Sequence, residues 1–69
     1  RPGGGAVMEQ VYIWLNDQVE ELIESYDYCD TDEGRIQVEA AILHLSTAMG
    51  NLRRAIRAES VAAEKRYEL

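Results

Sequence analysis

The chain has 69 residues, thirteen Asp+Glu against seven Lys+Arg, a formal net charge of −6, and 46% apolar against 29% charged residues. That is one small domain, near the size at which a single core barely offsets chain entropy. It excludes doubly wound nucleotide folds and barrels, which need more than about a hundred residues, and a lone cysteine excludes a disulfide framework or a four-thiolate zinc site.

Residues 1–6, Arg-Pro-Gly-Gly-Gly-Ala, carry no periodicity and read as a flexible leader or expression scar, leaving 7–69 as a single domain. From Met8 to Tyr28 neither Gly nor Pro interrupts the chain. Met8, Val11, Tyr12, Leu15, Val19, Leu22, Ile23 and Tyr26 recur at helical steps and fill a stripe roughly 120° wide. Asp17, Glu20, Glu21, Glu24 and Asp27 fall outside it. The pattern predicts an amphipathic helix over about residues 8–28.

Cys29-Asp30-Thr31-Asp32-Glu33-Gly34 breaks the pattern. Asp30 or Thr31 can cap the next helix, and Asp30 with Glu33 has capping-box spacing. A turn this short makes its two helices antiparallel neighbours.

The second helix is predicted over about residues 32–67. Val38, Ile42, Leu45, Met49, Leu52 and Ile56 alternate steps of four and three, which is a heptad seam. Beside it Ala41, Ala48, Ala55 and Ala62 recur every seven residues, setting small side chains along one flank where another helix can come close. Gly50-Asn51 is a possible stop that would give a compact three-helix monomer. The seam stays in phase across Gly50, which favours one long helix.

Such a helix outruns its partner. Folded back, the first helix covers the second only to about residue 53, leaving Ile56 and Ala63 bare. Ile13 and Trp14 lie off the first stripe, and Ile36 and Leu43 off the second seam. The expected fold is therefore an all-α antiparallel hairpin assembling into a homo-oligomeric bundle, most simply a dimer. Val38, Ala41, Ile42, Leu45, Ala48, Met49, Leu52, Ala55 and Ile56 are its expected core and oligomer seam. Charge is uneven: residues 1–33 hold nine acids and one base, and residues 34–69 hold six bases and four acids. Antiparallel pairing of hairpins would bring unlike ends together.

Catalytic and metal motifs are missing from this sequence. With Gly34 at loop position six, an EF-hand would need carboxylates at Cys29 and Ala40. His44 is the only histidine, a poor start for a metal site. Carboxylates around Cys29 disfavour the thiolate a nucleophile needs. No phosphate-binding loop occurs. Arg53, Arg54 and Arg57 form the one basic cluster, suited either to phosphate or to carboxylates of a partner chain.

Ala41-Ile42-x-x-Leu45-x-x-Ala48, then Ala55-Ile56, after an amphipathic helix ending near Tyr26, resembles the small helical hairpins with which phages sequester cyclic-nucleotide defence signals (the anti-CBASS type). The likeness spans residues 17–58 and rests on packing positions, so it carries over no ligand contact. The acidic turn is longer than that family's. Rop-type plasmid RNA-binding hairpins are a similar architecture, but the acidic first helix argues against their role.

The leading expectation is a cytoplasmic, non-enzymatic regulatory or inhibitory protein of phage or mobile-element type, without cofactor or metal. It would associate with itself and bind a protein target through an acidic face formed by Trp14, Glu20, Glu21, Glu24 and Asp27. The alternative is a sponge that grips a small anionic nucleotide with Arg53, Arg54 and Arg57 between subunits. No membrane association is expected, and at net −6 nucleic acid is an unfavourable partner.

Overall fold

A computed structural model describes residues 4–67, with side chains from Ala6 to Arg66. It is an all-helical hairpin of two elements packed against each other, α1 (Gly4–Tyr26) and α2 (Asp32–Tyr67). Its extents are 59 × 18 × 13 Å, a rod set by the length of α2.

Helix α1 begins at Gly4 rather than near Met8, so Gly4, Gly5 and Ala6 of the expected leader are helical. Residues 1–3 of that leader lie outside the described residues. The extra turn continues the register along α2 and adds Val7 to a line with Val11 and Trp14. At its other end α1 stops at Tyr26 rather than Tyr28. There the amides of Asp27, Tyr28 and Cys29 donate to the carbonyls of Glu24, Ser25 and Tyr26 at 3.2, 3.0 and 3.2 Å. These three-residue loops tighten the last turn and satisfy carbonyls that an α-helix end leaves open.

The cap of α2 is Thr31. Its Oγ1 accepts from the Gly34 amide at 2.9 Å, and its carbonyl accepts the Arg35 amide at 3.1 Å. Asp32 and Glu33 occupy the first turn, where their charge suits the positive end of the helix dipole. Glycine at position 34 keeps this cap open, because a Cβ there would meet Thr31 Oγ1 at 2.9 Å. Arg35 ties the turn back to the helix: its guanidinium donates to the Cys29 carbonyl at 2.9 Å and pairs with the Asp32 carboxylate.

Helix α2 runs unbroken through Gly50, so the three-helix arrangement is not adopted. No described residue has a positive φ. A mid-helix glycine costs only about 1 kcal/mol relative to alanine, and the in-phase seam on either side outweighs it.

Two contacts fix the register of the hairpin. Arg53 donates to the Tyr12 hydroxyl at 2.7 Å, and the Glu39 carboxylate stands near enough to the Tyr26 hydroxyl to raise its pKa. Both place Trp14 of α1 level with about residue 51 of α2 at 1.5 Å rise per residue. Leu15, 9% exposed, is the one buried side chain among the described residues. Val38, Ala41, Ile42, Leu45, Ala48, Met49, Leu52, Ala55 and Ile56 are all half-buried. Ile56 is thus partly covered rather than bare, because the register sets it level with Glu9, inside α1. From Arg57 to Arg66 every side chain of α2 is exposed, Ala63 included.

Candidate functional site

The Tyr12–Arg53 contact marks one broad face of the hairpin. Rotation at about 100° per residue then sorts every other side chain onto that face, the opposite face, or the two outer edges. Three surfaces result.

The first is the outer edge of α1. Glu20, Glu21, Glu24 and Asp27 are all exposed there, and Trp14 is 58% exposed. Helical rotation spreads the set: Ile13 and Glu20 follow one line at an interval of seven, Trp14 and Glu21 another, and Glu24 lies between, with Asp27 in the turn just past the helix. Trp14 therefore borders the acidic surface rather than sitting at its centre. Arg35–Asp32 is the only ion pair among the described residues. Among the described residues the acidic surface of α1 is consequently left without a paired cation.

The second surface is the face marked by Arg53. An open groove of about 370 Å³ is lined by Tyr12, Asn16, Val19, Ser46, Met49, Gly50 and Arg53. The Arg53 guanidinium carbon lies 5.7 Å from the centroid of the Tyr12 ring, within cation–π range. The hydrogen bond to the Tyr12 hydroxyl, with the charge of that group, raises the pKa of Arg53 further above its ordinary value. At the turn end of the same face the hydrogen bond to Glu39, then its charge, raise the pKa of Tyr26. Both Tyr hydroxyls thus join α1 to α2 on this side.

The three arginines are not brought together. Arg54 points to the outer edge of α2 and donates to Asn51 Oδ1 at 2.9 Å. Arg57 is exposed one turn beyond. Only Arg53 lines the groove, and its partner Tyr12 is 41 positions away. The polar pair Asn16 and Ser46 also belongs to this groove, and was not singled out by sequence. Their signal was positional: each flanks a seam residue, on the same side as Arg53.

The third surface is the opposite broad face. Val7, Val11, Trp14 and Gln18 of α1 lie on it at helical steps, beside Gln37, Ala41, His44, Ala48 and Ala55 of α2. None of these carries a formal charge with histidine neutral. Val7 and Val11 are 57% and 42% exposed.

Among the described residues no group of three or more His, Cys, Asp or Glu is placed to hold a metal ion, and no helix is long and apolar enough to cross a membrane. Comparison with protein-family models, with curated proteins and with solved structures gave no match.

Proposed function

We propose that this chain is a small, non-catalytic interaction protein, a hairpin that assembles with itself and offers the acidic outer edge of α1 to a basic surface on a protein target. One observation carries the reading: Glu20, Glu21 and Glu24 on α1 and Asp27 just past its end stand exposed, and the sole ion pair among the described residues lies elsewhere. Clustered carboxylates on a rigid helix steer association toward cationic surfaces and suppress cationic-poor partners. Ile13, exposed on the line of Glu20 and away from Trp14, supplies apolar contact at the margin. Small size and acidity support a regulatory or inhibitory role of the phage or mobile-element kind.

The test is affinity capture from a host lysate with the wild-type chain and with Glu20→Lys, Glu21→Lys and Glu24→Lys combined. A partner recovered by the first and lost by the second supports the reading. No partner, or a partner retained by the reversed chain, defeats it.

A second reading is supported by the groove beside Arg53, which offers a cation, an aromatic ring and two short polar side chains to a small anionic nucleotide. It rests on Arg53 alone, since Arg54 and Arg57 face elsewhere. A cyclic nucleotide at a hundred times its dissociation constant would add about 2.7 kcal/mol of stability. That gain should vanish in Arg53→Ala; no gain with any nucleotide of a panel removes this reading.

A further inference from the structure

We infer that the uncharged face of the hairpin is covered by a second copy of this chain, packed antiparallel so that each acidic turn lies over the other copy's open end. The inference rests on the self-assembly part of the function proposed above, and names the face and the direction.

The face is singled out by contrast. The opposite side carries Glu9, Arg35, Glu39, Arg53 and Arg57, whereas this side has no charge between Val7 and Gln18 or between Gln37 and Ala55. Its exposed Trp14, Val7 and Val11 stand beside half-buried alanines on α2. The alanines alone express helix propensity; joined to an exposed apolar line on the neighbouring helix, they make a broad face that another pair of helices can approach closely.

Charge chooses the direction. Residues 27–33 hold Asp27, Asp30, Asp32 and Glu33, while the open end of α2 balances Glu59 and Glu64 against Lys65 and Arg66. Two copies with their turns together would stack acid on acid. Turned end for end, each acidic turn lies instead over an end that carries both signs and includes the last-turn bases. A two-fold axis crossing both helix pairs achieves this, stacking α2 on α2 and α1 on α1.

Register then follows from the alanines. With Ala48 opposite Ala55 of the second copy, and Ala41 opposite Ala62, the axis passes between Asn51 and Leu52. The hairpin's own register sets Trp14 at that same level, so the two indoles meet at the axis. Glu59, the acid on this side of the uncovered end, comes level with His44 of the second copy. The exposed stretch from Arg57 to Arg66 is covered in the same step. The shared face is 18 Å wide and about 45 Å long by helical rise. Along α1 the overlap is shorter, about 30 Å over residues 4–23, which gives about 700 Å² per copy, within the range of a stable interface.

The experiment is sedimentation equilibrium of the full chain and of paired charge variants. The wild type is expected at twice 7.8 kDa. Ala48→Glu on the uncharged face should weaken the dimer at least about a hundredfold, while Ser46→Glu on the groove face should leave it intact. A wild-type monomer, or a dimer broken by Ser46→Glu and not by Ala48→Glu, overturns the inference. Should Ala48→Glu fail to fold, cysteine cross-linking decides. In a Cys29→Ser background, Asn51→Cys should oxidise to a covalent dimer and Ser46→Cys should not; the reverse overturns the assignment. A dimer that persists while lysate capture finds no target counts against the acidic-edge reading alone.

Discussion

The two broad faces of this hairpin are built from the same helices and do opposite things. On the groove face, polar side chains bridge α1 to α2: Arg53 to Tyr12, and Tyr26 to Glu39. On the uncharged face no side-chain hydrogen bond joins the helices among the described residues, and Trp14 stands 58% exposed. The first face is finished between the two helices; the second leaves apolar surface uncovered among the described residues. A hairpin with a single buried residue, Leu15, sits below the core size usual for independent stability. The difference shows how a small protein divides its surface, with one side closed by polar contacts and the other left for association.

Substitutions that add bulk should separate the faces most. Ala55→Leu would wedge the close approach and cost about 1–3 kcal/mol, the usual penalty of overpacking. Ser46→Leu, beside the open groove, should stay within about 0.5 kcal/mol of wild type. Urea unfolding at fixed chain concentration measures both, and equal costs would erase the distinction.

The turn anchors both faces alike. Thr31→Ala removes the cap to the Gly34 amide and should cost about 1 kcal/mol without changing the dimer's sensitivity to face variants. A cost near zero by thermal melting would mean that Asp30 caps in its place. Gly50→Ala works in the opposite sense. A Cβ there meets nothing within 4 Å, so the change should raise stability by about 0.5–1 kcal/mol. A loss instead would show that the groove beside Gly50 needs to be empty.

The smallest effect is a pH dependence confined to the groove face. Glu39 holds the Tyr26 pKa above its ordinary 10.0. The folded state therefore binds that proton more tightly than the unfolded chain. The resulting stability is fully present below about pH 10 and is lost as pH rises through the folded pKa. Wild type should lose more stability than Tyr26→Phe between pH 9 and pH 11, as read from melting temperatures; identical losses would show that the contact contributes nothing in solution.

Much of this architecture was legible in the chain. The seam from Val38 to Ile56 kept its phase through Gly50, and that phase predicted an unbroken α2. The acidic break at residues 29–34 gave the reversal. The cap stayed ambiguous because Asp and Thr serve equally well by type; the Thr31–Gly34 contact decides it. Gly4, Gly5 and Ala6 resembled a leader because glycine has low helix propensity, yet the helix they extend runs on along α2. The arginine cluster misled for a geometric reason. Adjacent residues on a helix point about 100° apart, so Arg53 and Arg54 share a sequence but not a face. Nothing local could pair Arg53 with Tyr12, because that contact depends on the register of the whole hairpin. The uncharged face was half legible: its alanines stood out by their sevenfold repeat. Its Val7–Val11–Trp14 line needed the earlier start of α1 to appear.

The central claim, that this hairpin is half of an antiparallel pair, is tested most directly by a distance between the two copies of its own cysteine. Cys29 lies in the turn, and spin labels attached there can be measured by pulsed electron resonance. The antiparallel pair puts the two turns at opposite ends of the assembly: with Cys29 beside Gly34 and the axis between Asn51 and Leu52, they lie about 50–55 Å apart by helical rise. A distribution centred near that value is the predicted result. A short distance, with the turns side by side, or no coupling between labels at all, would contradict it.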